Sequence, residues 1–575
     1  MTLDTTRRPM PQRHVAFLLI VAALVCLCPW AAPAQTGAKN VILMVADGAG
    51  YNTWRAASMY QGKLGKQVYD GPGWVHLACT TYALTRKTKP THTAAQDPSL
   101  VYDPAKAWDT TSESPVEERT EGGDSVSAGK TVGAFAGYNY LKMTRSDSAA
   151  TATAMSTGVK TFDNAINWTN LDQPLAGKTI AEIAKRHGRS VGVVTTVQWS
   201  HATPAALGGA HNVSRNNYAA IANEMLAAPY LDVIMGAGHP DFDDNGRPVT
   251  EPNPRSVPAL LKNGQPATSD RGSPSPSQPQ GLEKGSGAAS ASQGGAKTNN
   301  ISALKQKEYR YVGGPATWAQ LKSGRHPAGW TLIESKAAFE RLATGQAPRK
   351  VLGVAQVATT LQQNRGKPRA AREGEKPPAP FSYPLNRNVP TLETMTQAAL
   401  NCLDDNPQGF YLMVEGGAVD WANHANLPDR MIEEHIDFLK AVEAVVRWVE
   451  TKSSWQETLV ILTADHETGL IWGPQSDRVP FQPIVDCGPG NLPGLKYNSR
   501  SHTNSLVPLY ARGPGSEQFT RLLRGVDPTA AEKFGMSGQY VDNTAIFMVL
   551  RQSIVAARQR AVSPKAPPKQ PVRAG

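Results

Sequence analysis

Cysteine is scarce in this 575-residue chain, and its placement excludes a disulfide framework. Two of the five cysteines, Cys26 and Cys28, fall inside an N-terminal apolar run. Cys79, Cys402 and Cys487 are left, enough for at most one internal disulfide. No internal repeat is present, so the chain does not read as an array of small units. A membrane-spanning run is lacking too. The segment "VAFLLIVAALVCLCPW" falls short of the roughly 20 residues that a span requires. Arg7, Arg8 and Arg13 precede that run and Ala32-Pro33-Ala34 follows it, so residues 1–34 read as a signal peptide cleaved near Ala34. An anchor kept uncleaved is the alternative, and Val25 before Cys26 argues against a lipoprotein site. The expected location is periplasmic or secreted, with no stable membrane span after cleavage.

The formal net charge of +11 sits largely in segments that look like linkers and termini. Five basic residues fall within Arg365–Lys376, and Lys565, Lys569 and Arg573 lie in the tail. Such charges usually solvate a chain, so no specific nucleic-acid partner is expected.

What is present is a set of near-continuous apolar runs, in a chain that is 40% hydrophobic. "NVILMVAD", "SVGVVTT", "GFYLMVEGG", "ETLVILTADHE" and "LVPLYARG" (Leu506–Gly513) read as buried parallel strands, since both faces of such strands are covered by helices. Helical patterns lie between them, for example Thr179–Gly188 and Met431–Glu450. The expected fold is a three-layer α/β/α sandwich around a large, mainly parallel central sheet, with surface insertions, spanning residues 38–555. A low-complexity insertion at 265–300, a Pro/Arg-rich loop at 365–380 and a disordered basic tail at 563–575 interrupt or extend it.

Functional groups gather at the ends of these runs. Asp47 closes the first, Glu415 follows "YLMV", Asp465 and His466 close the fourth, and His201 and Thr203 lie just beyond "SVGVVTT". Ligands bind outside the carboxyl ends of strands in open α/β sheets. A lone acid after a strand is usually a turn residue or a cap, but four strands ending this way point to one site. Asp420 and His424 are four residues apart, which places both on one face of a helix, a spacing that suits metal chelation. His502 stands shortly before another strand and by itself reads as a loop histidine. The mixture of carboxylates and imidazoles suits Zn²⁺, an all-oxygen subset suits Mg²⁺, and the number of ligands implies two or three ions.

"MTRSDSAATATAMSTGVKT" is made almost wholly of small residues, with Asp147 and Ser148 at its start. Ser148 at a helix start meets an anion-favouring dipole and is expected to stay exposed. No histidine is near it in sequence, so activation by metal is the simpler account, with a phosphoryl group as electrophile. Arg215 is suited to forking onto two phosphate oxygens.

These blocks resemble the alkaline phosphatase family. "DSAATATAMSTGVKT" is similar to its nucleophile signature almost position for position. "VILMVADGAG", "VGVVTTVQWSHATPAAL", "AHNVSRNNY", "YLMVEGGAVDWANHA", "LVILTADHETG" and "SHTNSLVPL" follow in the family's order. The resemblance implies a phosphomonoester hydrolase with Ser148 as nucleophile and Arg215 holding the phosphate. It implies one zinc on Asp420, His424 and His502, a second on Asp47, Asp465 and His466 with the Ser148 oxygen, and one magnesium on Asp47, Thr203 and Glu415. Asp147 would orient Arg215. His201 stands where some members have an aspartate, and Trp421 where others have a lysine or a histidine, which leaves the third metal's identity open. Homodimers are common in the family, so a homodimer is the assembly it implies. The rival readings are a phosphodiesterase or sulfatase on the same scaffold and a non-catalytic, metal-stabilised phosphate-binding surface protein.

Overall fold

The computed structural model describes residues 37–116, 134–249, 309–372 and 374–562. The expected signal peptide at 1–34, the expected insertion at 265–300 and the expected tail at 563–575 lie outside those residues. Among the described residues, no helix is long and apolar enough to cross a membrane.

Eleven strands form the central sheet. In chain order they are Asn40–Val45 (β1), Val75–Thr80 (β2), Ser190–Gln198 (β3), Val233–Ala237 (β4), Thr331–Ile333 (β5), Val351–Val354 (β6), Phe410–Glu415 (β7), Thr458–Thr463 (β8), Val507–Arg512 (β9), Leu523–Val526 (β10) and Gln539–Asp542 (β11). Their spatial order is β10-β11-β2-β9-β8-β1-β7-β3-β4-β6-β5. Every pair from β8 to β5 is parallel. Residues of β1, β7 and β8 are buried along their whole length, as continuous apolar runs require when helices cover both faces.

Helices Tyr51–Tyr60 (α1), Ser148–Thr157 (α2), Ile180–Arg186 (α3), Ala202–Leu207 (α4), Tyr218–Ala227 (α5), Leu392–Leu403 (α6), Ala418–His424 (α7), Pro428–Lys452 (α8) and Thr544–Val562 (α9) supply most of the outer layers. α1, α6 and α8 pack together in one layer, and α2, α3, α4 and α9 in another. The chain is thus an α/β sandwich around a large mixed sheet.

Two expectations need correction. β9 was expected to be parallel, yet it is antiparallel to both β8 and β2. The chain stays at one edge of the sheet between β8 and β9 instead of crossing back through a helix, so the returning strand must run the other way. Burial on both faces made the run look parallel. The basic residues within Arg365–Lys376 are expected to be solvated, but Arg365 is fully buried. It donates to the carbonyl oxygens of Gln362, Tyr383 and Pro384 and pairs with Glu433 on α8 at 2.6 Å. A buried guanidinium is tolerated because nearly every donor has an acceptor.

Candidate active site

β8, β1, β7 and β3 are adjacent and parallel, so their carboxyl ends share one edge. Asp47 follows β1, Glu415 ends β7, Asp465 and His466 follow β8, and His201 and Thr203 begin α4 just after β3. Gly48, at φ 69°, lets the chain turn immediately after Asp47. A Cβ there would stand 2.7 Å from Asp420 Oδ1, so only glycine lets α7 come this close.

α2 carries the serine. All ten of its residues are buried, and it packs between α4 and α9. That explains the run of Ala, Ser and Thr: with neighbours on every side the helix has no solvent face, and small side chains permit close approach. Asp147 is its N-cap and works in two directions. One carboxylate oxygen accepts from Ala150 N at 3.0 Å, and the other accepts from Arg215 at 3.0 Å. Ser148, expected to be exposed, is only 2% exposed. The fully buried His466 sits over it, with Nε2 3.1 Å from the hydroxyl oxygen.

Two groups of atoms able to ligate a metal lie beside that hydroxyl. Asp47, Asp465 and His466 form one, with all ligating atoms within 4.8 Å of one another. Asp420, His466 and His502 satisfy the same limit. His424 joins the second group through Nε2, which lies 3.3 Å from Asp420 Oδ2 and 3.0 Å from His502 Nε2. The tautomers follow from the partners. Nδ1 of His424 donates to the Arg500 carbonyl at 2.6 Å, and Nδ1 of His502 donates to the Ser146 carbonyl at 2.8 Å. In the neutral rings both Nε2 atoms then present lone pairs to each other, an arrangement that a shared proton or a bound cation satisfies.

Oxygen atoms repeat the demand. Asp47 Oδ1, Thr203 Oγ1, Glu415 Oε1 and Asp465 Oδ2 are buried without a hydrogen-bond partner. Buried polar atoms without partners are costly, and divalent cations would satisfy these four, so the residues present fit metal ions. Burial, and then the charges of Asp465, Asp420 and Glu415, push the Asp47 carboxyl well up. Glu415 is raised to about 7, chiefly by burial. Burial works against ionised Asp420 as well, but His424, His502 and His466 outweigh it and hold its carboxyl well below the usual range.

Arg215 and its surroundings form the remaining wall. Burial disfavours its charge, yet Asp147 and Tyr218 overcome this and keep the guanidinium protonated. His201 lies with Nε2 3.4 Å from an Arg215 nitrogen. Burial, followed by the charge of Arg215, lowers it to about 3, so it is neutral and can accept from the guanidinium. Trp421, partly exposed, stands with its ring 5.9 Å from that of His201. All the residues singled out in the sequence thus lie at this one edge.

Sequence reading missed several contributors. Thr468 donates to Asp420 Oδ1 at 2.6 Å and lies 3.3 Å from His466 Nδ1. Thr195 hydrogen-bonds to Glu415, its direct partner in the β3–β7 ladder. Thr468 stands in "LVILTADHETG", two positions after His466; Thr195 becomes visible only once the strand register is known.

The family profile described as alkaline phosphatase matches residues 125–256 and 293–537, more than half of the chain. Alkaline phosphatase 4 of Bacillus subtilis is 28% identical over 443 residues, covering 66% of this chain and 74% of that protein. Alkaline phosphatase of Escherichia coli is 28% identical over 393 residues, covering 66% and 72%. The crystal structure of a cold-active alkaline phosphatase from a psychrophilic Shewanella aligns over 90% of this chain and 99% of its own, with a TM-score of 0.50 at 20% identity, a likeness of fold. On the profile match, the chain belongs to the alkaline phosphatase family, a family of phosphomonoester hydrolases.

Proposed function

We propose that this chain hydrolyses phosphate monoesters through a phosphoserine at Ser148. The observation that carries the reading is the convergence on one hydroxyl: Ser148 opens α2, faces His466 at 3.1 Å, and adjoins an arginine braced by its own neighbour Asp147. A binding protein has no use for a serine at that point.

Asp420, His424 and His502 would hold one zinc, and Asp47, Asp465 and His466 a second. Asp47, Thr203 and Glu415 would hold a magnesium. Bound there, such ions lower the pKa of the serine hydroxyl, stabilise charge on the leaving oxygen and activate a water. The protein's own groups do the rest. Arg215 grips two phosphate oxygens in a bidentate fork, and Asp147 fixes the direction of that fork. The amide groups at the start of α2 favour the anion, and burial around Ser148 strengthens each of these interactions. His201, neutral, accepts from Arg215 without adding charge. Because the contacts concentrate on the phosphate, discrimination among leaving groups is shallow at this point.

Steady-state turnover of an aryl phosphate and of its methyl diester tests the reading. The monoester should be the faster substrate, and Ser148→Ala should lose at least about a thousandfold in kcat. Faster cleavage of the diester would assign the site to phosphodiesters, and undiminished activity in the variant would remove Ser148 as nucleophile.

A further inference from the structure

A second arginine lies on the same wall. Arg310 opens a short 3₁₀ turn, Arg310–Val312. Its guanidinium stands 4.9 Å over the Tyr218 ring and 4.6 Å over the Tyr311 ring, and one of its nitrogens donates to the Tyr311 hydroxyl at 2.5 Å. Two aromatic faces hold a planar cation at low entropic cost. The cage is tied to the active-site segment. The Ser200 hydroxyl donates to the Tyr311 carbonyl at 3.0 Å, one residue before His201. Tyr218, the first residue of α5, stacks on His201 with ring centroids 6.1 Å apart. From Arg215 the path to Arg310 therefore runs through His201 and Tyr218, two stacked rings.

Arg310 is not neutralised. No carboxylate pairs with it among the described residues, and its Nε is buried without a partner. An arginine recruited only for packing would be expected to meet a carboxylate or carbonyl oxygens, as Arg365 does. Among the described residues only one of its five N–H donors is engaged by a hydrogen bond, which leaves donors for an oxyanion.

We propose that Arg310, caged by Tyr218 and Tyr311, is a specificity residue that favours phosphate monoesters whose leaving group carries its own carboxylate or phosphate. The inference rests on the reading that Arg215 holds the phosphate being transferred. It gives discrimination to a site whose other contacts read only that phosphate: one guanidinium takes the reacting group, the other takes a second anion on the same molecule.

Glycerol 3-phosphate and 3-phosphoglycerate differ by a carboxylate and provide the test. Wild-type protein should show kcat/KM about tenfold higher for 3-phosphoglycerate, the worth of one charge-assisted pair, with the difference in KM and shrinking as salt is raised. Arg310→Gln should bring the ratio of the two substrates close to one, and Arg310→Lys should restore part of it. Equal kcat/KM values in the wild type, or a ratio that Arg310→Gln leaves intact, would overturn the inference while leaving the phosphatase reading standing. Hydrolysis of neither compound would sink that reading and this inference with it.

Discussion

Thr468 and Thr195 do the same work on two different carboxylates. Each donates a hydroxyl proton to one oxygen of its neighbour, Asp420 or Glu415, so that the carboxylate is fixed. Asp420 Oδ2 is thereby turned toward His424 Nε2 at 3.3 Å. Groups that orient a ligand matter nearly as much as the ligand. Thr468→Val keeps the shape and removes the donor, so metal affinity should fall by roughly 10- to 100-fold. Competition against a chelator of known affinity measures this, and excess zinc should recover activity. Unchanged affinity would mean that the hydroxyl merely fills space. The candidate ligand types themselves were legible in the sequence because Asp47, Glu415, Asp465 and His466 each end a strand. The close approach of His466 to Ser148 was not, since 318 positions separate them.

Elements were legible where one physical rule governs them. β1, β7 and β8 read as strands because burial on both faces demands continuous apolar residues. The direction of β9 was hidden by that same rule, because direction depends on where the chain re-enters the sheet. α8 shows another limit: its amphipathic pattern gave the helix but not the charges beneath it. Glu434 is raised to about 8, by burial first and then by Asp437 and Glu433, and its Oε1 has no partner. His435, beside it, is lowered to about 3 by burial. The signs are opposite. Glu434 holds its proton more tightly in the folded state, so its contribution is complete below the unfolded value near 4.5 and is lost as pH rises to about 8. His435 is neutral when folded, so its contribution is lost as pH falls from 6.5 toward 3. The two slopes, each about 1.4 kcal/mol per pH unit, cancel where the windows overlap and leave Glu434 to act alone between 6.5 and about 8. Glu434→Gln should therefore gain stability over wild type as pH rises, with the gain levelling off above pH 8. Melting temperatures across that range measure it, and a pH-independent difference would show that Glu434 titrates near its ordinary value.

At the scale of the whole molecule, net charge and local charge point in opposite directions. The chain is basic overall, at +11, while the edge shared by β8, β1, β7 and β3 gathers Asp47, Glu415, Asp420 and Asp465 with little water around them. The sheet order enforces this crowding, since strands from distant parts of the chain are neighbours there. The blocks that carry the candidate ligands were readable in sequence, but their convergence became physical only through that order. Folding such a site costs free energy unless cations balance it, and whatever binds only the folded state stabilises it by mass action. Stripping the protein with a chelator should then lower its melting temperature, and returning zinc and magnesium should raise it again. Each tenfold increase in free metal above the dissociation constant should add about 1.4 kcal/mol per site. The same response is expected from Ser148→Ala, which keeps all the protein ligands except the serine oxygen, so the measurement does not depend on turnover. A melting temperature indifferent to both chelator and metal would mean that protons, rather than metal ions, balance the crowded carboxylates.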